Sequence, residues 1–144
     1  MATESLHQVG KSFDFLVREH GFVVAQEEYD AQHFGNILML FKSPDHLLKI
    51  IVDRGQVFID IASTETPDAY FDMAVILRHL TQQEWLYDFT VDTGTQLNTL
   101  AGILKSYSQE VFQDQLVRYH RTELDEIVQR QLQERLERFK KSAK

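Results

Sequence analysis

The apolar positions of this chain fall first into a helical stripe and then into strands. Leu6, Val9, Phe13, Leu16 and Val17 recur at helical spacing, which predicts an amphipathic helix from Leu6 to Glu19. Ser5 and Gln8 have the spacing of a capping box, and Gly21 suits the left-handed residue that ends a helix. Four strand candidates follow: Phe22 to Tyr29, Asn36 to Lys42, His46 to Val52 and Gln56 to Ala62. Ser43-Pro44-Asp45 marks a turn, and Asp53-Arg54-Gly55 reads as a tight hairpin loop. Parallel strands need long crossovers, so these short links predict an antiparallel meander.

The second and third strands are apolar on both faces. Leu38 and Leu40 oppose Ile37, Met39 and Phe41, while Leu47 and Ile51 oppose Leu48, Ile50 and Val52. A solvated face of that kind is a large apolar patch, so either helices cover both faces or a partner covers one.

The remainder reads as three helices. Thr66 before Pro67 resembles an N-cap, with Tyr70, Phe71, Ala74, Leu77 and Leu80 as the stripe behind it. Trp85-Leu86-Tyr87-Asp88-Phe89 fits either a strand or a helical turn. Thr93 and Gln96 repeat the capping-box spacing ahead of Leu97, Leu100, Leu104, Tyr107 and Val111. The last helix starts afresh near Thr122 or continues from Phe112, and its stripe of Leu124, Val128, Leu132, Leu136 and Phe139 drifts around the axis. The expected architecture is α+β: an N-terminal helix, a four-stranded antiparallel meander, and three C-terminal helices packed on the sheet. The last helix is long and partly exposed. Residues 1–117 form the α+β domain and 118–144 its basic helical extension.

Composition narrows the chemistry. A chain of 144 residues, 43% of them apolar, suits one core. The absence of cysteine excludes disulfides, thiolate nucleophiles and cysteine-rich metal sites. The opening Met-Ala-Thr-Glu-Ser-Leu-His lacks a signal-peptide pattern, and no apolar run reaches membrane-spanning length, which predicts a cytoplasmic protein with no membrane partner. Residues 118–144 hold eight Lys/Arg against five Asp/Glu, whereas residues 1–117 hold seven against seventeen. Such a body repels nucleic acid.

No nucleophile elbow, P-loop, dinucleotide-binding fingerprint or zinc-protease motif is present. His120 with Glu123, and Asp30 with His33, have two-ligand spacing, but neither pair names a third donor, so no metal or other cofactor is expected. Asp60 and Asp88 are the acid–base candidates; Asp60, on the outer face of a strand, reads as solvated, and neither is assigned catalysis without a pocket to perturb it. His20 closes the first helix. Trp85, Tyr87 and Phe89 read first as core and second as interface anchors, with no Lys or Arg from Thr81 to Thr93 to make a base-stacking platform.

Phe13-Asp14-Phe15-Leu16 leading to His20-Gly21-Phe22, followed by strands ending in Val52-Asp53-Arg54-Gly55-Gln56-Val57, resembles small bacterial α+β proteins, some similar to immunity proteins of polymorphic toxin systems. The resemblance covers Ser5 to Val111. It implies a leading helix, a four-stranded meander and trailing helices, and it carries no functional residue across.

The expected function is therefore a non-enzymatic protein-binding module, immunity-like or regulatory, whose acidic body suits a basic protein partner. Phe58, Asp60, Trp85 and Tyr87 are the expected partner-binding residues. The alternatives are a homodimeric assembly protein that pairs through its C-terminal helix and an enzyme with an unrecognised site. A deep polar pocket holding His33, His79 or His120 beside Asp or Glu would favour the enzyme.

Overall fold

The computed structural model describes residues 2–142, with side chains from Leu6 onward. The leading helix is two helices, α1 (Ala2–Ser12) and α2 (Asp14–His20), broken at Phe13. Because α1 already runs from Ala2, Ser5 lies inside it rather than at its cap. Gly21 adopts φ 71° and closes α2, as its lack of a Cβ permits.

The sheet is antiparallel and meandering, in the order β1 (Val23–Asp30), β2 (Asn36–Lys42), β3 (His46–Asp53), β4 (Gln56–Ser63) and β5 (Phe71–Asp72). It has five strands rather than four. The fifth is a two-residue strand inside the stretch that sequence spacing assigned to a helix. Arg54 and Gly55 form the β3–β4 loop with φ of 52° and 83°, the pair of positive values that matches the twist of a two-residue hairpin.

Helix α3 (Met73–Thr81) begins after β5, not at Thr66. Asp72 takes the cap because its carboxylate accepts the Ala74 N–H at 2.7 Å, whereas Pro67 lies in a turn. Helix α4 (Thr93–Ser106), by contrast, is capped one residue before Thr93, by Asp92 accepting from Thr95 N at 2.7 Å. A π-helical turn (Gln109–Gln113), the short α5 (Leu116–Tyr119) and the long α6 (Arg121–Ser142) complete the chain. The last helix thus starts afresh. Among the described residues no helix is long and apolar enough to cross a membrane.

The core cluster lies on one side of the sheet, while Ala62 of β4 is buried on the other. Ile37, Met39 and Phe41 of β2 pair with Val52, Ile50 and Leu48 of β3, which pair in turn with Val57, Ile59 and Ile61 of β4; all are buried. They form one cluster with Val9, Phe13 and Leu16 of the N-terminal helices, Ile76 of α3, Leu97 and Leu104 of α4, and Leu124 of α6. Removing a large side chain from such a core costs about 2–5 kcal/mol.

The residues between them point to the other side. Leu38, Ile51 and Phe58 align across three strands, and Leu40, Lys49, Asp60 and Asp72 form the next row. They are half-buried, and none belongs to the core cluster. The two-sided apolar pattern of β2 and β3 is thus resolved: helices cover one face only.

Candidate functional site: the open sheet face and its aromatic border

The open face is bordered along β4 by residues 84–91, which form neither a helix nor a ladder strand. This segment runs as a strap beside the part of β4 that β5 is too short to pair. Two side chains replace the missing strand there. Gln96 accepts the Val57 N–H at 3.0 Å and donates to the Gly55 carbonyl at 3.1 Å and the Val91 carbonyl at 2.9 Å. The Tyr87 hydroxyl accepts the Ile59 N–H at 3.4 Å and donates to Asp72 Oδ1 at 2.9 Å. Side chains on the ladder positions satisfy an edge that otherwise presents open backbone groups to another chain.

The strap places its aromatics against the open face. The Tyr87 ring stands 5.4 Å and the Phe89 ring 5.3 Å from Phe58, Tyr87 and Phe89 stack at 5.5 Å, and Trp85 meets Tyr87 edge-on at 4.9 Å. The apolar row Leu38–Ile51–Phe58 therefore continues into an aromatic shelf. Trp85 and Tyr87 also pack partly against the core, as the first reading of these aromatics expected, whereas Phe89 is exposed.

The row beside it is charged. Asp60 and Asp72 are cross-strand partners, and Lys49 is the neighbour of Asp60 on the other side. The Lys49 ammonium lies 4.0 Å above the Tyr70 ring. Burial raises the pKa of Asp60, the Asp72 charge raises it further, and Lys49 opposes both. Burial also raises Asp72, against the Ala74 N–H and the Tyr87 hydroxyl. The Tyr87 phenol is pushed far up by burial and by the carboxylates around it, so it remains a hydrogen-bond donor throughout the physiological range.

The four residues expected to bind a partner thus lie in one neighbourhood: Phe58 and Tyr87 in contact, Trp85 on Tyr87, and Asp60 linked to Tyr87 through Asp72. Sequence reading missed Asp72, Leu38, Ile51 and Gln96 as members. The two-faced apolarity of β2 and β3 was the available signal for Leu38 and Ile51. Gln96 was marked only as a capping-box partner of Thr93, and nothing local marked Asp72.

Asp88 accepts hydrogen bonds from Thr90, from its Oγ1 at 2.5 Å and from its backbone at 3.0 Å. Those bonds lower its pKa, the profile of a turn residue. Asp30 and His33 pair with each other at 2.6 Å in the exposed β1–β2 turn, and that bond lowers Asp30.

His120 and Glu123 approach to 3.8 Å, and the fold brings His79 of α3 to 5.0 Å from the His120 ring. His79 and Glu123 border an open cavity of about 310 Å³ at the seam of α3 and α6, together with Glu126, Arg78 and Arg130. Burial lowers the pKa of His79, His120 lowers it further, and Glu123 opposes the shift. No three His, Asp or Glu side chains among the described residues are arranged to hold a metal ion. Across the seam, Arg78 bonds Glu134 at 3.2 Å and ties α6 to α3.

Compared with protein-family models, curated proteins and solved structures, the chain matches none.

Proposed function

We propose that this chain is a bacterial, cytoplasmic, non-enzymatic protein-binding module, immunity-like or regulatory, that receives a basic partner on its open sheet face. One observation carries the reading: every helix contributes to the core on the same side of the sheet, leaving the Leu38–Ile51–Phe58 row with no helix over it and only the strap's aromatics at its Phe58 end. An apolar row bounded by an aromatic shelf and a pair of desolvated carboxylates has the composition of an interface, where rigid aromatics anchor and charges set the choice of partner. The carboxylate pair beside a single cation, itself engaged with Tyr70, favours a partner that presents Lys or Arg next to apolar side chains.

The test is affinity capture with the full chain as bait, beside Phe58→Ala, Asp60→Asn and Trp85→Ala, each first shown by circular dichroism to remain folded. A stoichiometric basic protein retained by the parent, and held at least about tenfold more weakly by Phe58→Ala, supports the proposal. A partner whose affinity is the same for all three variants overturns it.

A further inference from the structure

We infer that the projecting half of α6 docks on the strap of a second copy of this chain. Helix α6 is held where Leu124 and Ile127 are buried in its first half and where Glu134, further along, makes the ion pair with Arg78. On another face of the helix Leu132, Leu136 and Phe139 are 45%, 60% and 72% exposed. At 3.6 residues per turn they share one side of the helix, roughly a third of a turn from Leu124 and Ile127, so packing on α3 leaves them in water.

A complementary surface lies on the α4 side of the strap. Leu86 is 75% exposed there, beside a mostly apolar cavity of about 220 Å³ lined by Leu86, Val91, Leu100 and Ile103. A cavity of this size suits one or two aliphatic or aromatic side chains rather than a whole cofactor. The charges match as well. Residues 129–142 carry five Lys/Arg against two Glu, one of them tied to Arg78, while residues 82–92 carry Glu84, Asp88 and Asp92 and no cation.

Tail and strap belong to the same chain, so two copies can exchange tails about a two-fold axis and bury two identical contacts. The contact uses the α4 side of the strap; Trp85 and Tyr87 border both this cavity and the open sheet face, whereas Leu86 borders the cavity and, among the described residues, makes no aromatic or hydrogen-bond contact with that face.

Sedimentation velocity on the full chain over a wide concentration range tests this. The expected result is a dimer that weakens with salt. Leu136→Glu, Phe139→Glu and Leu86→Glu, all at exposed positions, each weaken it by at least about tenfold. Asp88→Lys weakens it too, and mixing Asp88→Lys/Glu84→Lys with Lys140→Glu/Lys141→Glu recovers part of the loss. A parent chain that stays monomeric overturns the proposal. So does a dimer lost with Leu136→Glu yet indifferent to Leu86→Glu, because that pattern means tail pairs with tail.

Discussion

The Tyr87 hydroxyl donates to Asp72 Oδ1 at 2.9 Å while accepting the Ile59 N–H, so one phenol fastens the strap to the end of β5 and to the edge of β4. Tyr87→Phe keeps the ring on Phe58 but removes both bonds. It is expected to lower the unfolding free energy by about 1–2 kcal/mol, read as a lower urea midpoint at unchanged slope. An unchanged midpoint would mean that water replaces the hydroxyl at no cost.

Gln96 makes three bonds from a buried side chain, all to backbone groups that no strand reaches. Gln96→Leu fills the same space but strands the Val57 N–H and the Val91 carbonyl, while the Gly55 carbonyl keeps the Thr93 hydroxyl as a donor. The expected loss is about 2–3 kcal/mol. Amide exchange at Val57 should accelerate by more than exchange at core amides such as Ile50, since the opening is local.

Asp60 bears on the acid side of the stability curve. Its folded pKa lies above the ordinary value of 3.8, chiefly through burial. The shift therefore favours the folded state below that value, and this advantage is lost as pH rises through the raised pKa. Asp60→Asn removes the charge and is expected to raise the thermal midpoint at neutral pH, the gain shrinking to nothing below the ordinary carboxylate range. Melts across that range check the sign; an equal gain at every pH would point to packing instead of ionisation.

His46 carries the opposite sign. It is buried among Phe22 and Phe112, with Nε2 lacking a hydrogen-bond partner. Burial lowers its pKa below 6.5, opposed by Asp45 and the Val111 backbone, with His20 adding to the depression. The folded state therefore holds the neutral ring. Its contribution is intact above 6.5 and falls away as pH drops through the lowered folded value. The thermal midpoint should decline in that window for the parent chain. The decline should flatten in His46→Phe, which also relieves an unpaired buried nitrogen that costs about 1–3 kcal/mol.

Much of the fold was legible because its signals are local. Gly21 ends α2 because only glycine adopts a left-handed conformation freely. Arg54-Gly55 closes a two-residue hairpin, and short links force β1 to β4 to run antiparallel. The N-terminal helix, the meander and the long last helix were all readable in this way, as was the drift of Leu132, Leu136 and Phe139 off the stripe that begins at Leu124. The failures lie where local signals compete. Thr66-Pro67 imitates a helix start, but Phe71 pairs with Ile61 across β4, and Asp72 then caps the helix instead.

Of the candidate site, the sequence alone picked out Phe58, Asp60, Trp85 and Tyr87, since outward aromatics and a strand carboxylate stand out in a small domain. It also determined that β2 and β3 are apolar on both sides. Only the tertiary structure decided which side remained open, that Tyr87 and Gln96 stand in for a strand along β4, and that Asp72 lies beside Asp60. Periodicity records that a side chain leaves water without naming what it packs against. The packing partner is set by which distant helices reach the sheet, and here every apolar stripe that is buried against it meets the same face.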